Sequence, residues 1–506
     1  MSARRLALGT VLRAINLAAT AFASLLVMPF VVHSLGDRLY GLWALVGTFI
    51  GYYGLLDLGL TSAVNRYMAA ALGSGDAVQS NRVFNTAVRL FVGIGVAVLA
   101  ASAAAAGAAP WVTRNAADAS LFGRVVLALG VNLALSFPVR VFIGTLNAHL
   151  RFEITAALDL LTLVVRTSLT VAVLLAGFKL LALALATLAA SLPAMVLYVY
   201  FTHKNLPFLN LDRAYWSRPI ARSLFAYSSF SFVAGVADIL RFRVDGLVLA
   251  GFLNLAAVTH FSIASTMADY FIALVTAFTG VLGSVFSRQD GARDLGAIRR
   301  TLFFATKLSV ILSTFIAFGL LAWGRAFIER WMGPGYVDAY PVLVVLTLGM
   351  MFALWQAPSV ALLYGTSKHK FYALSNTVEG VANLVLSLLL VRRYGMIGVA
   401  LGTVIPMSVI KLLIQPVYVC RVSGIAYWSY IGRTARTIGA ALVSLAIPAW
   451  VSIRYAAPDY KSLVAVGVAS AILYAVPLWF FGLTSEEADS LGRAVIPGLR
   501  RRRGVS

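Results

Sequence analysis

A cluster of ionisable residues lies inside an apolar stretch of the chain. The segment ADILRFRVDG at 237–246 places Asp238, Arg241 and Asp245 on one face of a helix, at positions i, i+3 and i+7. Arg243 points about 160° away from Arg241, at roughly 100° per residue, and has no obvious local partner. Guanidinium groups match phosphate oxygens and stay charged, so Arg241 and Arg243 could bind a phosphorylated ligand. The alternative is a buried ladder of ion pairs that fixes helix packing.

A second polar pattern interrupts the apolar sequence YYGLLDLGLTSAVNRY. If this stretch is helical, four polar residues follow one another at four-residue spacing: Tyr53, Asp57, Thr61 and Asn65. We expect this stripe to form part of a cavity wall. Arg66 would lie on the other side of the helix, close enough to the cytoplasmic interface to extend its charge into water.

Other charges fall near the middle of apolar stretches, where ionisable residues indicate function by default. Arg166 lies seven residues after Asp159 and could contact it, whereas Lys411 has no acid within four residues on either side. Both cations could line the same cavity. Asp57 and Asp269 could bind a coupling cation or proton, pair with a neighbouring arginine, or accept hydrogen bonds from ligand hydroxyl groups.

The composition excludes a water-soluble protein. Of the 506 residues, 60% are hydrophobic and only 12% are charged, with a mean hydropathy of +0.88, whereas soluble domains carry about 25% charged residues. The net charge of +22 alternates with apolar runs, so it builds no continuous face for nucleic acid. One cysteine and five scattered histidines predict neither a disulfide nor a metal site.

The apolar runs predict an all-α integral membrane protein with about fourteen spans, at roughly 20 residues a span. Their approximate limits are about 11–34, 40–64, 86–109, 121–145, 155–177, 179–202, 224–252, 258–285, 301–326, 340–364, 372–391, 396–419, 437–453 and 462–482. An even number of spans places both termini on one side. With both in the cytoplasm, about 22 Lys and Arg residues lie inside and about ten outside, which fixes this orientation.

An internal repeat indicates how these spans are organised. A shift of about 218 residues, or slightly more, brings several pieces into register: LGDRLYGLW at 35–43 with LNLAAVTHF at 253–261, Asp76 with Asp294, and GTLNAHLRF at 144–152 with GTSKHKF at 365–371. We therefore predict two parallel six-helix lobes around a central cavity. Residues 1–218 and 219–421 would form the lobes, and 422–506 would add two helices and a basic cytoplasmic tail.

Three stretches carry a family resemblance: GLWALVGTFIGYYGLLDLGLTSAVNRYMA at 41–69, DGLVLAGFLNLAAVTHFSIAS at 245–265 and NLVLSLLLVRRYGMIGVALGT at 383–403. They resemble characteristic regions of bacterial polysaccharide-biosynthesis flippases of the O-antigen and exopolysaccharide type. The third region is the most specific, and the resemblance covers most of the chain. The same superfamily contains multidrug and toxic-compound extrusion antiporters and lipid II flippases.

The resemblance implies fourteen helices in two lobes and translocation of an undecaprenyl-diphosphate-linked oligosaccharide from the cytoplasmic to the periplasmic leaflet of the bacterial inner membrane. The expected partners are the polyprenyl-diphosphate-linked glycan and the bilayer, and other polysaccharide assembly proteins could take part. We expect Arg241, Arg243, Arg166 and Lys411 to contact the diphosphate or headgroup. Cavity polarity or ion coupling would fall to Asp57, Thr61, Asn65, Asp238, Asp245 and Asp269.

Two other functions compete with this interpretation. A cation-coupled multidrug antiporter on the same scaffold would favour acids and aromatics in the cavity, whereas a diphosphate favours Arg and Lys. A membrane-embedded polysaccharide polymerase or ligase would carry a substantial polar extracytoplasmic loop, and the predicted loops are short. We predict no bond chemistry and no cofactor. The sequence leaves open whether H+ or Na+ is coupled to transport.

Overall fold

The computed structural model describes residues 3–57, 60–112, 115–226, 244–280, 282–368, 370–455 and 459–478. Within these ranges the regular structure is helical, which confirms the all-α prediction. The chain divides into two compact units. The first comprises Met1–Ser262 with Ser387–Val399, and the second comprises Ile263–Leu386 with Ala400–Ser506.

The first unit is built around long antiparallel helices. Its helices are α1 (Ala3–Leu35), α2 (Asp37–Tyr52), α3 (Leu60–Gly73), α4 (Ala77–Gly107), α5 (Ala109–Val112), α6 (Ala116–Ala148), α7 (Phe152–Leu175), α8 (Leu180–Asn205), α9 (218–226) and α10 (Asp245–Phe252). α4 packs along α6, where Phe91 and Phe137 lie with ring centroids 6.2 Å apart. α11 (Leu255–Thr279) begins in this unit and continues into the second.

The second unit contains several interrupted helices. They are α12 (Leu282–Gly291), α13 (Leu295–Trp331), α14 (Ala339–Trp355), α15 (Ala357–Gly365), α16 (Lys370–Val409), α17 (Gln415–Ser423), α18 (Tyr427–Ser444), α19 (Ala446–Arg454) and α20 (Tyr460–Pro477). A π-helical turn, Ile410–Ile414, joins α16 to α17. α16 is itself broken at Gly395, whose φ of +57° favours glycine. This break falls between two predicted spans, and Ser387–Val399 around it belongs to the first unit.

Ten of the described helices are long and apolar enough to cross a bilayer, or eleven if α14 and α15, bent by 42°, form one span. The chain is therefore a multi-pass membrane protein. The count takes Lys370–Ser423 as one helix, although Gly395 breaks it. Residues 227–243, in the predicted seventh span, are not among the described residues. The figure of about fourteen spans stays a prediction.

Two aspartates matched by the internal repeat have the same structural role. Asp76 precedes α4 and accepts a hydrogen bond of 2.9 Å from the backbone N–H of Gln79. Asp294 precedes α13 and accepts one of 2.8 Å from the backbone N–H of Ala297. Both are N-caps, which satisfy N–H groups that a helix leaves unpaired at its start. The helices begin at Ala77 and Leu295, in the register of the repeat, so the caps support it.

Another matched pair of segments makes reciprocal contacts within the first unit. Thr259 donates a hydrogen bond of 2.6 Å to the carbonyl oxygen of Asp37, and Gly41 lies directly against the carbonyl oxygen of Leu255. Under the 218-residue shift, Asp37 corresponds to Leu255 and Gly41 to Thr259. Swapping each residue for its match therefore turns the Asp37–Thr259 contact into the Leu255–Gly41 contact. Contacts across a two-fold axis are related in the same way.

The second predicted span is not one continuous helix, contrary to the prediction. α2 ends at Tyr52, a 3-10 turn covers Tyr53–Asp57, and α3 begins at Leu60. The sequence GYYGLLDLGL around the break carries three glycines, each of which disfavours helix by about 1 kcal/mol relative to alanine. Asp57 thus lies in the 3-10 turn, whereas Thr61 and Asn65 lie on α3. Tyr53 lies in the hydrophobic core, 6% exposed.

Helix α18, which follows the predicted twelfth span, contributes to the core of the second unit. Its Tyr430 is fully buried and donates a hydrogen bond of 3.1 Å to the side-chain oxygen of Gln356, at the bend between α14 and α15. Ser359 donates a further bond of 3.0 Å to the same oxygen. Residues beyond the predicted twelfth span are therefore part of this unit's interior.

We expect Gly41→Ala to destabilise the protein because the added methyl would overlap the Leu255 carbonyl. Gly47 lies on the same helix with open space around its Cα, so Gly47→Ala is the matched control. There the gain in helix propensity, about 1 kcal/mol, is expected to act alone. Thermal unfolding in detergent should show opposite shifts in Tm for the two variants. Equal shifts would contradict the close approach of Gly41 to Leu255.

Candidate functional site

Asp57, Thr61 and Arg140 meet at the break before α3. Thr61 Oγ1 donates a hydrogen bond of 2.6 Å to Asp57 Oδ1, and Arg140 Nη1 of α6 lies 3.5 Å from the same oxygen. The side chains are 16% exposed for Asp57 and 32% for Arg140. An unpaired charge inside a span costs at least a few kcal/mol. The charge of Arg140 offsets this penalty. Pairing with a neighbouring arginine is one of the roles that the sequence left open for Asp57.

Phe137 holds the other side of the Arg140 guanidinium. It precedes Arg140 by three residues on α6, so the two side chains share a helix face, and the guanidinium carbon lies 4.4 Å from the ring centroid. Stacking on an aromatic face fixes the plane of the guanidinium and leaves its N–H groups pointing outward from the edge.

Asn65 approaches α6 one helical turn after Thr61. Gly144 makes room for it, since a Cβ at position 144 would overlap the side-chain oxygen of Asn65. This oxygen is buried and has no hydrogen-bond partner among the described residues. Because a buried acceptor without a donor costs about 1–3 kcal/mol, a donor group from a ligand or water would stabilise the site.

Arg166 is exposed on α7. Asp159, with which it could have formed a contact, accepts a hydrogen bond of 2.7 Å from the Tyr198 hydroxyl of α8. The carboxylate of Asp159 therefore links α7 to α8.

Lys411 lies in a buried ion pair of the second unit. Its Nζ is 3.7 Å from Oε2 of Glu379 on α16, and the two side chains are 2% and 0% exposed. Nζ also donates to Asn376 Oδ1 at 3.2 Å and lies 4.5 Å from the Tyr372 ring centroid. In this conformation the ammonium is occupied by protein groups rather than open to a headgroup. Lys411 belongs to the π-helical turn, a distortion that is frequent at functional sites.

The polar contacts of this region continue along both neighbouring segments. Thr403 donates to Asn383 Oδ1 at 3.4 Å, and the Gln415 side-chain amide donates to the Gln356 carbonyl oxygen at 3.3 Å. All four residues are at most 5% exposed. Polar side chains thus extend on both sides of the Lys411–Glu379 pair.

Of the remaining predicted site residues, some are among the described residues and some are not. Asp245 is buried in the first turn of α10, and Asp269 is exposed on α11. Asp238, Arg241 and Arg243 lie outside the described residues.

Comparison with known proteins identifies the family. The family described as "Polysaccharide biosynthesis protein" matches residues 35–341, more than half of the chain. The chain belongs to this family. The resemblance inferred from the sequence is therefore confirmed.

Two known proteins are similar to this chain over most of their length. The "Uncharacterized membrane protein EpsK" of Bacillus subtilis is 24% identical over 487 residues, which cover 92% of this chain and 94% of that protein. The "Putative O-antigen transporter" of Shigella flexneri is 21% identical over 426 residues, covering 80% of this chain and 96% of that protein.

Solved structures show which fold this family member has. The lipid II flippase MurJ in an inward closed conformation superposes with a TM-score of 0.71 at 13% identity, over 93% of this chain and 98% of that one. An inward-facing multidrug resistance MATE family transporter of the MOP superfamily gives 0.66 at 16% identity, over 81% and 98%. The family member thus has the MOP superfamily fold.

Sequence reasoning missed two residues of these clusters. Arg140 and Glu379 both lie inside predicted spans, but their partners are on other helices and no spacing rule connects them. A signal for Arg140 was present, because Phe137 precedes it at the i, i+3 spacing that allows a cation to stack on a ring. Glu379 offered only its charge inside an apolar run.

The buried pair predicts a non-additive effect on stability. Lys411→Met or Glu379→Gln alone leaves one uncompensated buried charge and is expected to cost about 3–5 kcal/mol, whereas the double variant removes both charges. Thermal unfolding in detergent should therefore give low Tm values for the single variants and a Tm near wild type for the double variant. Lys370→Met, at an exposed position on the same helix, is the control. A double variant less stable than either single variant would contradict the pairing.

Proposed function

We propose that this protein is a flippase that moves an undecaprenyl-diphosphate-linked oligosaccharide from the cytoplasmic to the periplasmic leaflet during surface polysaccharide biosynthesis. The observation that carries the proposal is the family match over residues 35–341 on a fold shared with a lipid II flippase. The name of the Shigella flexneri relative, an O-antigen transporter, supports the same class of substrate.

The physics of the task explains why such a protein is needed. Each sugar hydroxyl stripped of water in hydrocarbon costs several kcal/mol, and a diphosphate costs far more. A polar, hydrated path for the headgroup removes most of this barrier while the polyprenyl tail stays in lipid. No bond has to be made or broken, so transport through such a path needs no catalytic group.

Transport would proceed by alternating access between two lobes, residues 1–218 and 219–421, with 422–506 as a C-terminal addition. The matched caps Asp76 and Asp294 support the repeat on which this division rests. Both termini would face the cytoplasm of a bacterial cell, with the protein in the inner membrane.

The headgroup contacts are assigned to cations of the spans. Arg241 and Arg243 are suited to a diphosphate because the guanidinium fork matches phosphate oxygens, and the exposed position of Arg166 is compatible with the same role. Lys411 could contribute only after its pair with Glu379 opens. Polar contacts to the glycan, or H+ or Na+ coupling, are assigned to Asp57, Thr61, Asn65, Asp238, Asp245 and Asp269.

Reconstitution provides the direct test. Liposomes containing the protein should move a fluorescently labelled undecaprenyl-diphosphate oligosaccharide between leaflets, whereas protein-free liposomes should not. A multidrug antiporter, which the MATE likeness in fold represents, would instead exchange cationic drugs for H+ or Na+ in the same liposomes. Drug exchange without lipid movement would replace the flippase proposal with the antiporter.

The assignment of Arg243 gives a sharper prediction. Arg243→Ala should slow lipid movement by about 10- to 100-fold, because hydrogen bonds to charged groups contribute about 1.5–3 kcal/mol. The control is Arg124→Ala, at an exposed position on α6. Equal rates for Arg243→Ala and wild type would remove Arg243 from the headgroup contacts.

A further inference from the structure

Two arginine–aspartate pairs of the first unit differ in how many guanidinium nitrogens contact the carboxylate. Arg38 contacts both oxygens of Asp118, with Nη2 at 2.8 Å and Nε at 3.0 Å, the bidentate geometry of strong pairs. Arg140 contacts only one oxygen of Asp57, at 3.5 Å. A guanidinium carries five N–H donors, and within the described part of the chain this single carboxylate contact is the polar contact of Arg140. It therefore has spare donors.

Arg140 is partly exposed and lies within the predicted fourth span. It lies eight residues before the end of α6, which finishes at Ala148, so it is roughly 12 Å into the helix at 1.5 Å per residue. Its side chain is 32% exposed, in contrast to the enclosed Lys411. A cation placed inside a span with an open edge is suited to an anionic ligand rather than to packing alone.

The surroundings hold the guanidinium in one plane, ready for an anion at its edge. Phe137 supports one face at 4.4 Å, so the fork needs little reordering when a ligand arrives. The hydrogen bond from Thr61 to Asp57 does not involve Arg140, so the carboxylate would keep one donor if the guanidinium turned to another anion. A diphosphate offers more oxygens and more charge than the carboxylate, and its oxygens match the fork bidentately.

We propose that Arg140 binds the diphosphate of the lipid-linked substrate and that Asp57 holds the guanidinium when no substrate is present. The inference deepens the flippase function and rests on it. Asp57 then has a defined role in the cycle: it competes with the departing phosphate for Arg140 and so promotes release. A transport site has to bind firmly enough to load and weakly enough to unload, and an internal competitor provides that balance.

The first test is selectivity of binding. Detergent-solubilised wild-type protein should bind undecaprenyl diphosphate more tightly than undecaprenyl monophosphate, as measured by native mass spectrometry or microscale thermophoresis. Arg140→Gln should lose about tenfold or more in affinity for the diphosphate, and its preference over the monophosphate should shrink. Arg140→Lys keeps the charge without the fork and should fall in between. Arg124→Gln, on the same helix, should keep the wild-type affinity and preference.

Asp57→Asn should change the affinity for undecaprenyl diphosphate in the opposite direction. Without its competitor, Arg140 should bind undecaprenyl diphosphate at least about threefold more tightly, and flipping in liposomes should slow because release is delayed. Weaker binding by Asp57→Asn would overturn the competitor role.

A charge swap separates binding from a purely structural pair. The double variant Asp57→Arg/Arg140→Asp keeps an ion pair between the two helices, so its Tm should lie closer to wild type than that of Arg140→Gln, yet it should not recover transport. Recovery of transport by the swap, or a wild-type rate and selectivity in Arg140→Gln, would overturn the proposal. If Arg140→Gln does not fold, the selectivity of Arg140→Lys decides instead.

Failure of the flippase function itself would look different. Wild-type protein that moves no lipid, while still binding undecaprenyl diphosphate through Arg140, would contradict the transport function and leave the anion site standing. Wild-type protein that moves lipid with a fully active and selective Arg140→Gln variant would contradict the anion site alone.

Discussion

A charge can remain inside a membrane span only if a counter-charge, a hydrogen-bonding group or water replaces its lost hydration. The two units meet this requirement in different ways. Lys411 and Glu379 are enclosed, and the ammonium also contacts an amide oxygen and an aromatic ring. Arg140 and Asp57 form a longer, partly open pair beside a helix break. The closed arrangement favours a fixed internal link, whereas the open one keeps donors free for exchange.

Helix breaks lie beside these groups. At the glycine-rich break between α2 and α3, the Asp57 carboxylate contacts both Thr61 and Arg140. In the second unit, the π-helical turn carries Lys411. The Gly395 break lies between Asn383 and Thr403 of α16, whose side chains contact each other. Interruption of regular hydrogen bonding is tolerated in membrane spans when nearby groups satisfy the freed backbone.

The sequence was informative wherever a local rule applies. Apolar length predicted the long helices, because each hydrophobic stretch must match the bilayer. The repeat pairs Asp76 with Asp294, and both residues are N-caps. The helix break after Tyr52 was not predicted, because the apolar pattern of the sequence continues through the glycines. The ionic partners of Asp57 and Lys411, which are Arg140 and Glu379, were not predicted for another reason: each lies in a different predicted span from its partner, so no spacing within one span relates them. Asp238, Arg241 and Arg243 lie outside the described residues, so the roles that the sequence suggests for them stay predictions.

The burial of Tyr430 sets an order of events during synthesis. Gln356 lies at the α14–α15 bend, 74 residues before the hydroxyl that donates to its side-chain oxygen. The ribosome therefore delivers Gln356 into the membrane well before Tyr430. Until α18 is inserted, the Gln356 side-chain oxygen lacks the hydrogen bond from Tyr430 and keeps the one from Ser359. A late stop codon that removes α18 would thus damage a helix pair already made. The last helices complete the interior of the second unit instead of merely extending it.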